Sequence, residues 1–248
     1  MLLTALGFFM WPHSFGSVFT ARAESVFRRN AIVLPLYQLI LAFIFFVGFA
    51  AVLKVPGLTG PNIDLSLFRI SILTFPPWFV GVIGAAGVLT ALVPGSMIMM
   101  SAATLLSNNL YRLMHADASE ARIGGLAKLC VPVVALVAVY FTLQGGQTIV
   151  ALLLMGYSFV TQLFPSLIMS LLPHNPLSKA GALAGILVGV ATVAAITLTH
   201  STVATLFPGL PEVLRDLNVG IIALVLNVVA TAVVGAATRR QVVVGPVV

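Results

Sequence analysis

Long, continuously apolar segments separated by short polar loops make up most of the chain. Seven such segments are present, at residues 2–19, 31–53, 77–107, 124–143, 148–172, 180–199 and 219–237. Their lengths are close to or above the ~20 residues that a helix needs to cross the hydrocarbon core of a bilayer. A membrane β-barrel would instead alternate lipid-facing and lumen-facing residues along shorter strands. The pattern therefore predicts an all-α polytopic membrane protein with about seven transmembrane helices.

The composition agrees with a chain whose solvent is lipid. Hydrophobic residues make up 60% of the sequence and charged residues only 7%, whereas a soluble domain has about 25% charged residues. All six acidic residues lie in predicted loops, so no carboxylate within a span is available as a general base. The sequence has no recognisable catalytic or metal-binding motif, and its one cysteine, Cys130, excludes an internal disulfide. We therefore expect neither an enzyme nor a bound metal or cofactor.

The basic residues are distributed unevenly between alternating loops. Nine of the twelve follow the odd-numbered segments, namely Arg22, Arg28, Arg29, Arg112, Arg122, Lys128, Lys179, Arg239 and Arg240. Only Lys54, Arg69 and Arg215 lie in the opposite loops. The positive-inside rule then predicts an N-terminus outside and a C-terminus in the cytoplasm, in the cell (inner) membrane. Because these residues flank spans and do not form an aromatic-rich basic face, no nucleic-acid partner is expected.

The first and the third segments carry helix-breaking or polar residues in patterns that bear on function. Gly7, Pro12 and Gly16 lie in the first one, which indicates either a kinked helix or a discontinuous helix of the kind that forms transporter sites. The third segment carries a partly polar stripe at helical spacing, which consists of Thr90, Pro94, Met97, Ser101, Thr104 and Asn108. Such a stripe either packs against neighbouring helices or lines a solute path.

Amide side chains also lie within the fifth and the seventh apolar segments. Gln162 shares one face of the fifth segment with Ser158, Thr161 and Pro165, and Asn227 lies in the seventh segment. An unpaired amide is costly in lipid. Gln162 therefore either hydrogen-bonds a neighbouring helix or binds a solute, and Asn227 is predicted to link two helices.

Three stretches, in order along the chain, resemble the second half of proteins of the solute:sodium symporter family. Residues 7–13 (GFFMWPH) resemble the family's aromatic-rich segment that ends in Pro-His on the sixth core helix. Residues 91–94 (ALVP) through residues 109–112 (NLYR) resemble its long eighth core helix. Residues 162–165 (QLFP) and 179–185 (KAGALAG) resemble the tenth core helix and the entry to the eleventh. The first two stretches are most similar to the monocarboxylate-transporting branch.

This resemblance implies a LeuT-type fold, in which five helices are followed by five related helices of opposite topology. Residues 1–172 would form the second inverted repeat, core helices six to ten, and residues 173–248 two trailing transmembrane helices and a short cytoplasmic tail. Core helices one to five are then missing. The resemblance thus leads us to expect a fragment that needs a missing N-terminal half as its partner and does not transport alone.

The resemblance also assigns candidate site residues. The substrate-binding candidates are Trp11, Pro12, His13, Ser101, Tyr157 and Gln162. Sodium-coupled members carry two adjacent hydroxyl residues at the positions that Val93 and Pro94 occupy here, with Ser96 nearby. Since neither Val93 nor Pro94 has a side-chain oxygen, and hard cations prefer oxygen ligands, the coupling ion, sodium or a proton, stays open.

The expected function is that of the C-terminal part of a secondary active transporter, a cation:solute symporter for a small organic solute such as a monocarboxylate. Its expected partners are that solute, membrane lipid and the missing half. The alternative is a non-transporting membrane subunit that packs against a partner membrane protein through its small-residue faces.

Overall fold

The computed structural model describes residues 2–145, 148–173, 175–199 and 201–238. Over these residues the chain is helical and contains no strand. Six described helices are long and apolar enough to cross a membrane: α1 (Glu24–Lys54), α2 (Pro77–Met114), α3 (Glu120–Leu143), α4 (Ile149–Ser170), α5 (Lys179–Leu198) and α6 (Val219–Thr238). The prediction of an all-α membrane protein is confirmed. Arg239 and Arg240, which contributed to the predicted orientation, lie outside the described residues.

The first apolar segment is not a seventh long helix. It forms two short helices, Leu2–Gly7 and Pro12–Val18, joined by a 3₁₀ turn at Phe8–Met10 and by an extended Trp11 with φ −68° and ψ 128°. The physical reason is Pro12, whose ring disfavours a helical conformation at the preceding residue. Of the two alternatives for this segment, the discontinuous helix is therefore the one present, and the predicted count of seven helices becomes six among the described residues.

The chain forms two compact units. One comprises the residues up to Trp11 together with those from Val150 onwards, and the other comprises Pro12–Ile149. The boundary predicted after residue 172 is of another kind, because it divides the second repeat from the trailing helices and does not divide compact units. It stays a prediction.

In the unit formed by Pro12–Ile149, the longest helix is α2, with 38 residues. A straight helix of this length rises ~57 Å, against ~30 Å for the hydrocarbon core. It continues through Pro94 and contains a π-helical stretch at Leu106–Tyr111. Beyond that stretch Arg112 forms an ion pair with Glu120 at the start of α3. The ion pair connects the end of α2 to the next helix.

In the other unit, α5 and α6 pack closely along their length. Their buried residues recur mostly every four positions, as Gly181, Gly185, Gly189 and Val193 on α5 and as Gly220, Ala223, Asn227, Thr231 and Gly235 on α6. A methyl group at Gly181 would lie 2.8 Å from both the Thr231 carbonyl oxygen and the Gly235 Cα. One at Gly185 would lie 2.8 Å from the Asn227 carbonyl oxygen. Small residues let two backbones approach closely, which drives helix association in membranes.

Replacing Gly185 by alanine is expected to lower the thermal unfolding midpoint of the detergent-solubilised chain. The added methyl group would overlap Asn227 and the Thr231 hydroxyl, and overpacking of this kind costs about 1–3 kcal/mol. Gly48→Ala is the matched control, because Gly48 lies in α1 with nothing within 4 Å of an added Cβ. Equal midpoints for the two variants would contradict the close packing of α5 on α6.

Candidate functional site

A cluster of buried polar side chains lies where α4 is broken. The helix runs as Ile149–Val160, a 3₁₀ turn at Thr161–Leu163, and Phe164–Ser170. Pro165 has no N–H to donate to the Thr161 carbonyl, and the Phe164 N–H donates to it instead, which tightens the turn. Within the turn the side chains of Thr161 and Gln162 are completely buried. The break thus places a hydroxyl and an amide inside the unit.

The Gln162 amide is held by its own helix and by α6. Its Nε2 donates to the carbonyl oxygens of Ser158 at 3.0 Å and Gly220 at 3.2 Å. The Asn227 Nδ2 donates to the Gln162 backbone carbonyl at 2.7 Å and to its Oε1 at 3.2 Å. Both N–H groups and one acceptor position of the Gln162 amide are therefore engaged. The prediction that Asn227 links two helices is confirmed.

Hydrogen bonds extend this pair in both directions, along α6 to Thr231 and back to Asn218, the residue before α6. The Thr231 hydroxyl donates to the Asn227 Oδ1 at 3.2 Å. At the other end, the Ser158 hydroxyl donates to the Asn218 Oδ1 at 2.9 Å, and the same oxygen accepts from the Gly220 N–H at 2.8 Å. We call this connected set, Asn218, Ser158, Gln162, Asn227 and Thr231, the amide ladder. It satisfies polar groups that lipid cannot satisfy.

Helix α5 leaves room for the amide ladder. A methyl group at Gly189 would lie 2.9 Å from the Gln162 Cδ, and one at Gly185 would overlap Asn227 and Thr231. The glycines of α5 therefore face the ladder with backbone only. The sequence patterns indicated Gln162 and Asn227. They did not indicate Asn218 and Thr231, nor Ser158 as the hydrogen-bond donor to Asn218. The available signals were the four-residue spacing of Asn227 and Thr231 and of the three glycines on α5.

A second feature of the same unit is a contact between two aromatic rings. The ring centroids of Trp11 and Tyr157 lie 5.7 Å apart at an interplanar angle of 88°, an edge-to-face arrangement that aromatic quadrupoles favour. We call this pair the aromatic corner. Tyr157 is buried, with 8% of its surface exposed. The Thr161 hydroxyl donates to the Leu3 carbonyl at 3.3 Å, which ties the beginning of the described chain to α4.

The predicted substrate-binding residues are divided between the two units. Trp11, Tyr157 and Gln162 belong to one unit, where the structure brings the first two together and places Gln162 in the amide ladder. Pro12 and His13 belong to the other unit, in the short helix Pro12–Val18, which packs against the long stretch Pro77–Leu105 of α2. The half-buried Ser101 belongs to that same stretch. Their role in substrate binding stays a prediction.

The predicted ion-binding positions lie near the middle of α2. Val93 and Pro94 are exposed, and the Ser96 hydroxyl donates to the Val93 carbonyl at 2.8 Å. Pro94 lacks the N–H that would have bonded to the Thr90 carbonyl, so this oxygen is without its usual helical donor. The stretch thus offers backbone and hydroxyl oxygens, and ion binding there stays a prediction.

The chain is similar to three proteins named as transporters. It is 58% identical over 240 residues to an uncharacterized symporter of Bacillus subtilis, YhjB, and the match covers 97% of this chain and 49% of YhjB. A second uncharacterized symporter of that organism, YodF, is 33% identical over 201 residues, 81% of this chain and 40% of YodF. A monocarboxylate transport permease protein of Rhizobium johnstonii is 33% identical over 193 residues, 75% of this chain and 38% of the permease. No protein-family model matches the chain, and no solved structure matches it significantly.

The chain spans about half the length of YhjB, 49%, and less of the other two relatives. All three are named as transporters and none as an enzyme, which confirms the prediction that the chain is not an enzyme. The six long apolar helices, together with these relatives, identify a multi-pass membrane protein related to symporters.

Replacing Asn227 by alanine is expected to lower the thermal unfolding midpoint of the chain in detergent. The change removes the donor to the Gln162 Oε1 and the acceptor for the Thr231 hydroxyl, and a buried polar group left unsatisfied costs about 1–3 kcal/mol. The control is Asn109→Ala, which removes an exposed amide from α2. If the two variants melt at the same temperature, the amide ladder does not stabilise the unit.

Proposed function

We propose that this chain is the second half of a transporter of the solute:sodium symporter family and takes part in the symport of a small organic solute, a monocarboxylate. The observation that carries the proposal is the similarity over 97% of the chain to a protein named as a symporter. The three stretches that resemble the family, at residues 7–13, 91–112 and 162–185, occur in the family's order and support the same assignment.

The proposed fold is the second inverted repeat of a LeuT-type transporter. Residues 1–172 contribute core helices six to ten, and residues 173–248 contribute two trailing helices and the cytoplasmic tail. The break between Leu2–Gly7 and Pro12–Val18 supports this proposal, because discontinuous helices form the substrate sites of such transporters. The distribution of the basic residues supports an outside N-terminus and a cytoplasmic C-terminus in the inner membrane.

The aromatic corner is the proposed contact surface for the solute. Ring faces and edges of Trp11 and Tyr157 suit the short apolar end of a small carboxylic acid, and the phenolic hydroxyl adds a polar group. The relative named as a monocarboxylate transport permease supports this solute class. Pro12, His13, Ser101 and Gln162 remain proposed contacts, and Gln162 would have to exchange a protein partner for the solute.

The coupling ion in this proposal is sodium or a proton. Without side-chain oxygens at Val93 and Pro94, the oxygen ligands for a cation on α2 are the Ser96 hydroxyl and the backbone carbonyls around Pro94. Backbone carbonyls that lack a helical donor coordinate ions in transporters of this kind, and the Thr90 carbonyl, which Pro94 leaves without a donor, is the matching group here.

The test is uptake of labelled pyruvate into membrane vesicles. We expect no uptake with this chain alone and gradient-driven uptake when it is co-expressed with the part of YhjB that the chain does not cover, because half of the pocket then comes from the first repeat. A sodium gradient and a proton gradient are applied separately to identify the coupling ion. Uptake by the chain alone, or uptake that ignores both gradients, would contradict the proposal. A stable complex without uptake would favour the alternative, a non-transporting subunit.

In the same assay, Trp11→Ala is expected to reduce pyruvate uptake at least about tenfold, since one lost apolar contact is worth that much in substrate discrimination. Trp78→Ala is the matched control, because Trp78 lies at the start of α2 with 70% of its surface exposed. Equal uptake by both variants would remove Trp11 from the proposed site.

A further inference from the structure

The two rings of the aromatic corner each lie against a glycine: the Trp11 ring against Gly156, and the Tyr157 ring against Gly7. A Cβ added at Gly156, the neighbour of Tyr157, would lie 2.8 Å from the Trp11 Cη2 and 3.1 Å from its Cζ2. A Cβ added at Gly7, four residues before Trp11, would lie 2.8 Å from the Tyr157 Cδ1 and would overlap the Thr161 hydroxyl. The two contacts are reciprocal, and both involve the edge of a rigid ring that has no bond to rotate within it.

Backbone conformation does not explain these two glycines. Gly7 has a φ of −85°, and the glycines with positive φ among the described residues are Gly57 and Gly60. Gly156 lies inside the helix Ile149–Val160, where alanine would favour the helix more than glycine does. The requirement at Gly7 and Gly156 is therefore for space. The Trp11 ring occupies this space at Gly156, and the Tyr157 ring together with the Thr161 hydroxyl occupies it at Gly7.

The segment that carries Trp11 is held in place on both sides of Gly7. Leu3 and Met10 are buried, with 3% and 6% of their surfaces exposed, and the Leu3 carbonyl accepts the hydrogen bond from Thr161. The steric overlap that a methyl group at Gly156 would cause is therefore relieved most easily by displacement of the Trp11 ring, which is only half-buried.

We propose that Gly156 and Gly7 are positioning residues that set the edge-to-face contact of Trp11 with Tyr157 and thereby the size of the solute that the corner accepts. The second part of this inference rests on the proposed function; the first part does not. With both glycines present the corner is compact and takes a short-chain carboxylic acid. A substitution that adds a side chain at Gly156 displaces the Trp11 indole and alters the space beside the Tyr157 ring.

The test of the positioning role uses tryptophan fluorescence. The chain has two tryptophans, so Trp78→Phe leaves Trp11 as the one emitter. In this background we expect Gly156→Ala to shift the Trp11 emission to longer wavelength and to increase its quenching by acrylamide, because the ring leaves its packed position. Gly48→Ala, with open space around the added Cβ, is expected to change neither. An unchanged Trp11 signal in both Gly156→Ala and Gly7→Ala would overturn the inference, whether or not the chain transports.

Rescue separates positioning from a general loss of packing. The Cη2 and Cζ2 atoms that approach residue 156 belong to the six-membered ring of the indole. The phenyl ring of a Trp11→Phe variant is shorter than the indole, so it would end further from α4. We therefore expect Trp11→Phe to restore the thermal midpoint of Gly156→Ala. A midpoint that stays low in the double variant would overturn the positioning role.

The solute-size part is tested with the co-expressed halves. We expect Gly156→Ala to raise the KM for pyruvate roughly tenfold with little change in maximal rate, because a uniform binding contact is displaced. The KM for butyrate, which has a longer apolar chain, is expected to change by a different factor from the KM for pyruvate. If uptake occurs and both KM values change in parallel, the corner does not set solute size. If the parent pair shows no uptake, the proposed function fails while the fluorescence result stands.

Discussion

The hydrogen bonds between two buried amides, Gln162 on α4 and Asn227 on α6, are the interaction on which the unit formed by α4, α5 and α6 depends. The Asn227 Nδ2 lies 2.7 Å from the Gln162 carbonyl and 3.2 Å from its Oε1. Lipid has no group that replaces these partners, so any sliding of α4 along α6 leaves polar groups unpaired. The pair thus selects one register of the two helices, and α5 packs against them in this register through its glycines.

The same register determines where the aromatic corner lies. Tyr157 precedes Gln162 by little more than one helical turn, and Thr161 is adjacent to Gln162. Because Gln162 holds this stretch of α4, Thr161 is available to the Leu3 carbonyl and Tyr157 to the indole of Trp11. A structural network of amides and a candidate solute surface therefore share one helix. A substitution in the amide ladder is therefore expected to displace the aromatic corner through α4, although the substituted residue itself does not contact a solute.

The apolar pattern predicted most of the fold because lipid imposes a simple requirement. Every backbone polar group in the hydrocarbon core has to be satisfied within its own helix, so segments such as 180–199 and 219–237 predicted α5 and α6 nearly to the residue. The miscounted element was residues 2–19, where Pro12 produces an extended Trp11 and two short helices. Apolar content alone did not distinguish a broken segment from a span, although the proline itself indicated the break.

The sequence by itself determined that this protein lies in lipid, where its long helices run, and that its first segment is interrupted around Pro12. These are local properties, since a side chain's affinity for lipid and a proline's missing N–H do not depend on distant residues. Only the tertiary structure decided that Asn227 pairs with Gln162, that Gly156 receives Trp11, and that the glycines of α5 face the amide ladder. Such pairings depend on which surfaces meet in space, and Trp11 and Tyr157 are far apart in the sequence and adjacent in the folded chain.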